Sequence, residues 1–253
     1  MRMRYTCQMD GVELDSLAPS IYITDIVESA PSINRAIAQL PFGAQRITNR
    51  YHTQLNVTVK FLIREYDTMR RKAICQAVAA WAQGKFLAVN DRPGQRLCVE
   101  CATLPVISSA QRWTDALSMV FSAWEKPYWE DAHPASVVLS GNGSAVLRFA
   151  GVMPDSPLEA EITANNSVGK VTIACGGQTY ELGGLSMGAG DVLRIGHDEH
   201  GLQFMRVNDR SVLSHRQPDS SDEIMLQPRT DNTITFSADG NAKAVFSARG
   251  KWL

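Results

Sequence analysis

A chain of 253 residues and 27.8 kDa has room for two domains of about 100–150 residues, each large enough to bury a core without a metal or a disulfide. Lys and Arg number 25 against 26 Asp and Glu, and the formal net charge of -1 gives no sign of a nucleic-acid-binding surface. Apolar residues at 44% exclude wholesale disorder, and five scattered cysteines, Cys7, Cys75, Cys98, Cys101 and Cys175, exclude a disulfide framework.

The first residues, Met1-Arg-Met-Arg-Tyr-Thr-Cys-Gln-Met-Asp10, contain no apolar stretch of the kind that opens a secretory signal. No apolar run approaches the roughly 20 residues of a membrane helix, so the sequence predicts a protein folded in the cytoplasm without membrane insertion. Tyr5–Met9 and Ile21–Glu28 read as strands. Ser29 to Arg46 follows without clean periodicity, and a patternless stretch of that length in a compact domain predicts a contact loop. Leu55–Ile63 is the strongest strand. Leu55, Val57, Val59, Phe61 and Ile63 fall on one face, with Asn56, Thr58 and Lys60 opposite.

The period then changes. Asp67 can cap a helix that runs to Gly84, with Ile74, Ala77, Val78 and Trp81 as its apolar stripe and Arg70, Arg71 and Lys72 on the solvated side. Phe86–Val89, Arg96–Ala102 and Ala116–Ala123 read as strands, with Asn90-Asp-Arg-Pro-Gly94 as a turn. The segment Trp124–Pro134 breaks the pattern with two prolines and three aromatics, and it predicts a boundary between domains at 1–132 and 133–253. From Ala135 only strands are expected. They recur about every 8–12 residues between Gly-, Asn-, Asp- or Pro-containing turns, among them a two-residue hairpin turn at Val207-Asn-Asp-Arg210. The fold class is therefore mainly β: an N-terminal β-sandwich or split-barrel domain with one helix at 67–84, and a C-terminal β-sandwich.

Several motifs resemble reactive sites and fail on context. Gly184-Leu-Ser-Met-Gly188 matches a nucleophile elbow, with Asp198, His200 and His215 downstream in triad order. An elbow needs a strand turning into a helix, whereas Ala189–Ile195 reads as loop then strand, so the sequence predicts a glycine-rich loop. His197-Asp-Glu-His200 lacks ligands from a second element. Cys98-Val-Glu-Cys101 is a lone pair on a predicted strand, which turns the two thiols to opposite faces. No phosphate-cradling glycine loop is present. Trp124, Tyr128 and Trp129 could form a sugar-stacking platform, although their place beside prolines at a junction favours packing between domains. The sequence thus predicts no catalytic, metal or cofactor residue and no enzyme.

Taken together, the segments resemble the distal tail protein family of phages and prophages with long, non-contractile tails. The resemblance rests on Met9-Asp-Gly-Val-Glu-Leu14, on Leu55–Ile63 followed by the Asp67–Gly84 helix, and on Phe86–Gly94 and Met119–Tyr128. In the second half it rests on Gly190–Ile195, Asn208-Asp209, Ile224–Pro228, Asn232–Phe236 and the ending Val245–Leu253. It implies a galectin-like C-terminal sandwich and a structural hub at the virion tail tip, assembled in the host cytoplasm. The hub would be a hexameric ring that leaves a channel for DNA, with tail tube, tape-measure, tail-associated and receptor-binding proteins as partners. A ring of this kind needs two different complementary patches per subunit. The alternatives are a carbohydrate-binding β-sandwich module dependent on Trp124 or Trp129, and a serine hydrolase built on Ser186.

Overall fold

A computed structural model describes residues 5–30, 33–39, 45–105, 114–154, 156–198 and 201–253, with backbone only for 33, 35–39, 45–52 and 114–116. The chain divides into two compact units, Met1–Glu130 together with Leu253, and Asp131–Trp252. The predicted division after residue 132 compares with an observed one after Glu130.

The first unit contains β1 (Cys7–Met9), β2 (Val12–Glu13), β3 (Ile21–Ser29), β4 (Ile33–Gln39), β5 (Gln45–His52), β6 (Leu55–Ile63), α1 (Thr68–Trp81), β7 (Phe86–Val89), β8 (Gln95–Cys98), β9 (Glu100–Thr103), β10 (Thr114–Ala123) and β11 (Trp129–Asp131). One sheet has the order β3-β6-β10-β9, and a second contains the run β2-β1-β7-β8-β11. The alternation in β6 does what its sequence demands: Leu55, Val57, Val59, Phe61 and Ile63 are all buried, and Lys60 is exposed. The helix packs on this layer through Val78 and Trp81. The Trp81 ring meets Phe121 of β10 edge-on at 6.0 Å, and its Nε1 donates to the Val12 carbonyl at 2.7 Å.

Asp67 caps α1 as its sequence position predicts, its Oδ1 accepting from the Met69 and Arg70 amides at 2.7 and 3.1 Å. Three details differ from the sequence reading. The helix stops at Trp81 rather than Gly84. Arg71 is buried, not solvated, because its aliphatic stem packs inward while Nη1 reaches the Glu65 carbonyl at 3.2 Å. The expected strand Arg96–Ala102 is cut at Val99, so that β8 and β9 belong to different sheets.

The largest difference concerns Ser29–Arg46. Instead of a patternless loop, the described part forms β4, which pairs antiparallel with β5, while residues 31–32 and 40–44 lie outside the described residues. Ser29 faces Asn56 where β3 pairs with β6, and Ile33 faces His52 where β4 pairs with β5. Four residues forward on one strand match four back on the other, so β4–β5 continues the β3–β6 ribbon in the same register. At about 3.3 Å per residue, Ile33–Gln39 extends the ribbon by roughly 20 Å. Among the described residues this arm pairs with no third strand. At its root, Arg92 of the β7–β8 turn holds Glu28 of β3 through two hydrogen bonds, Nε to Oε2 at 3.0 Å and Nη2 to Oε1 at 2.9 Å. Its guanidinium lies 5.2 Å from the centre of the Trp129 ring.

The second unit adds β12 (Ala135–Ser140), β13 (Gly143–Leu147), β14 (Ser156–Pro157), β15 (Glu159–Ala164), β16 (Val168–Cys175), β17 (Gln178–Met187), β18 (Val192–His197), β19 (Gln203–Val207), β20 (Arg210–Ser211), β21 (Met225–Leu226), β22 (Asn232–Ala238), β23 (Ala242–Ala248) and β24 (Lys251–Trp252). Two antiparallel sheets, β12-β23-β15-β18-β19-β20 and β13-β22-β16-β17, enclose one core. Ile162, Leu193 and Phe246 come from the first sheet, Ile173, Ile234 and Phe236 from the second. Phe236 and Phe246 meet across the gap at 5.9 Å. The predicted hairpin is present, with Val207 opposite Arg210 and Asn208 at φ 52°, a conformation asparagine tolerates better than most residues. Among the described residues the strands-only expectation fails at Leu213–His215, which is a 3-10 turn.

Tyr180 is 1% exposed, and its hydroxyl accepts from Gln203 Nε2 at 2.8 Å and from the buried Ile224 amide at 3.0 Å. Tyr180→Phe leaves that amide without an acceptor and is expected to cost about 1–3 kcal/mol. Urea unfolding followed by fluorescence should show a lower midpoint with an unchanged slope.

Candidate functional site

The residues that the nucleophile-elbow motif brought forward are partly gathered by the fold. Gly184–Met187 is not a loop: β17 runs on to Met187, with Gly184 at φ +70° where the pairing with β16 shifts register. Glycine density reproduces the look of a loop because the bulge needs a residue free to take a positive φ. Ser186 projects from this strand into a concavity of about 540 Å³ that Asp191, Arg210 and His215 also line. Asp198 does not join them. It sits in the turn after β18, and its Oδ1 accepts from the Leu202 amide at 2.8 Å. His200 lies outside the described residues.

The geometry is not that of a catalytic triad. His215 contacts the Gly183 carbonyl through Nδ1 at 3.2 Å, and a carbonyl only accepts, so Nδ1 carries the proton. Among the described residues no carboxylate orients the ring, and Ser186 has no hydrogen bond to a histidine. The chain after Ser186 is strand and turn, so no helix N-terminus supplies paired N–H donors for an oxyanion. Asp191 is occupied structurally, with Oδ2 accepting from Gly188 N at 2.7 Å and Oδ1 from Asn208 Nδ2 at 3.0 Å.

The other lookalikes resolve as follows. His197 Nε2 lies 3.0 Å from Glu223 Oε1, Glu199 and His200 are outside the described residues, and no group of three or more His, Cys, Asp or Glu side chains gathers among those described. Cys98 and Cys101 are free thiols on different sheets, both with pKa raised by partial burial. The aromatic platform loses a member, because Trp129 is fully buried in β11 and only Trp124 stands exposed. Sequence reasoning missed the arm, whose only signal was a long stretch with no period.

No family model matches the sequence, and no curated protein matches it. Solved structures do. The chain superposes on the Dit protein of phage SPP1, described as a paradigm of the hub adsorption apparatus in phages infecting Gram-positive bacteria. The TM-score is 0.71 at 12% identity, covering 99% of this chain and 100% of that one. The fold is that of a phage distal tail protein. Chains of the phage p2 baseplate in its activated conformation match as well. With Ca the TM-score is 0.57 at 9% identity, covering 99% and 98% of the two chains. With Sr it is 0.54 at 10% identity, covering 97% of each. The distal tail protein fold thus spans both units of this chain, as the whole-length resemblance of its sequence implied.

Three carboxylates that accept backbone N–H groups should make the fold acid-sensitive. Asp67 is lowered by the Arg70 and Met69 amides, Asp191 by the Gly188 amide and then Asn208, and Asp239 by the Lys170 and Gly169 amides, each from an ordinary 3.8. Since each is lower in the folded state, its stabilisation is complete above the unfolded value near 3.8 and is lost as pH falls through the folded one. Thermal melts should be flat in this respect above that value and drop below it. The drop should be smaller for a variant in which Asp239 is replaced by Asn.

Proposed function

We propose that this protein is a structural component of a phage tail tip, a baseplate hub without enzymatic activity. The observation that carries the reading is the match to a hub protein over 99% of this chain and the whole of the other. The geometry around Ser186, which among the described residues has no hydrogen bond to His215, is compatible with it.

In this reading six copies form a ring that continues the tail tube, leaves a channel for DNA, and meets the tape-measure, tail-associated and receptor-binding proteins. Such a ring uses heterologous contacts, one surface of a subunit meeting a different surface of the next. The β4–β5 arm is suited to be one of the two. A two-stranded ribbon is marginal in water on its own, and it presents unpaired backbone along both edges. A neighbouring subunit can supply the missing partner. Arg92 and Glu28 would hold the arm at its root in the direction needed to reach it.

Size-exclusion chromatography with light scattering, followed by negative-stain imaging, tests the ring directly. Rings of six are expected, and a strict monomer at high protein concentration would sink the hub. Replacing the arm by a short turn between Ser29 and Asn56 should give a folded monomer, since β3 and β6 keep their own pairs. Unchanged hexamers would remove the arm from the interface. For Arg92→Ala the expected result is weaker assembly at equal concentration, with the far-ultraviolet spectrum preserved.

A further inference from the structure

The concavity in the second unit that Ser186 and His215 line is unused by the hub reading. It lies where β17 ends and the β19–β20 hairpin turns, and its 540 Å³ fall within the ordinary range for small-ligand sites. Its walls are prebuilt. Asp191 accepts from Gly188 N and Asn208 Nδ2, while Asn208 Oδ1 accepts from Val192 N at 3.1 Å, which fixes the hairpin against the end of β17. The edge of β17 is closed further back by the segment after the 3-10 turn, where Leu182 bridges Arg216 and the Gln217 amide donates to the Glu181 carbonyl. That cover ends at the concavity.

We propose that this concavity binds a saccharide. Its floor is apolar: Leu185 and Val212 belong to the buried core beneath, and the half-buried Val207 is the apolar side chain that a sugar C–H face can meet. The rim offers complementary polar groups that have no hydrogen-bond partner among the described residues. The exposed Arg210 guanidinium only donates. His215 Nε2 only accepts, because Nδ1 carries the proton toward the Gly183 carbonyl. The Ser186 hydroxyl does either. Hydroxyl groups, each both donor and acceptor, satisfy all three at once. An anion would meet Arg210 but face the Asp191 carboxylate and the lone pair of His215, and a cation would face Arg210. The peptide alternative lacks a free strand edge on the hairpin side long enough to pair with, since β20 is only Arg210–Ser211.

The site lies within the second unit, so it stands or falls separately from ring formation. Saturation-transfer difference NMR on the full chain, with glucose, galactose and N-acetylglucosamine offered in turn, reads it whatever the oligomeric state. The expected result is transfer to the C–H protons of one face of at least one sugar. Binding should weaken on the order of tenfold in Arg210→Ala, the scale of one charged hydrogen bond. It should be lost in Ser186→Trp, which fills the concavity from an exposed position; circular dichroism of both variants should match the parent. No transfer from any of the three sugars would overturn the proposal. So would transfer that persists in both variants, or displacement of the sugar by an unstructured peptide of small residues.

Discussion

In the first unit, β6 gives one edge of its backbone to β3 and the other to β10, and it buries five side chains on the face between. That double commitment fixes its register, because a slip by one residue would send Leu55, Val57, Val59, Phe61 and Ile63 to the solvent face. The register then propagates. β4–β5 holds the register of β3–β6, Ile33 facing His52 as Ser29 faces Asn56. Arg92 of the β7–β8 turn holds Glu28 one residue before the end of β3.

The same principle explains which elements were legible in the sequence. Leu55–Ile63 and the strands Asn232–Ala238 and Ala242–Ala248 are half-buried, and one buried face writes an alternation into the sequence. Asp67 and Asn208 were legible because their roles are local: a side chain capping its own helix, and a backbone conformation at a turn. The arm was not. Ile-Asn-Arg-Ala-Ile-Ala-Gln over Ile33–Gln39 shows no clean alternation, and among the described residues its ribbon pairs with no third strand. Arg71 was misread for a related reason. A stripe argument counts it as polar, while its stem is aliphatic and its head can reach the Glu65 carbonyl from a buried position. Val99, where one expected strand becomes two, gives no local sign that the chain is changing sheets.

For the candidate site, the motif and the structure share Ser186 and His215 and disagree on Asp198 and on the chemistry. The spacing of Gly184, Ser186 and Gly188 drew attention to a stretch that does border a concavity, and His215 came with it. What the pattern could not carry is the role of each atom. His215 spends Nδ1 on a backbone carbonyl, Asp191 spends both oxygens on the loop, and Gly184 serves a bulge. Arg210, Asp209, Ser211 and the apolar Leu185, Val207 and Val212 also line it and belong to no motif, because a concavity sets no fixed spacing along the chain.

The likeness to the SPP1 protein at 12% identity and a TM-score of 0.71 bears on where function can reside. Cores accept extensive exchange among apolar residues when pattern and volume are kept, so a fold persists while almost every side chain changes. A fold held by pattern alone constrains the inward positions and leaves the outward ones to vary. The rim around Ser186 and Arg210 is of the second kind, since both side chains are exposed. Positions of this sort can vary between proteins of one architecture without cost to the fold.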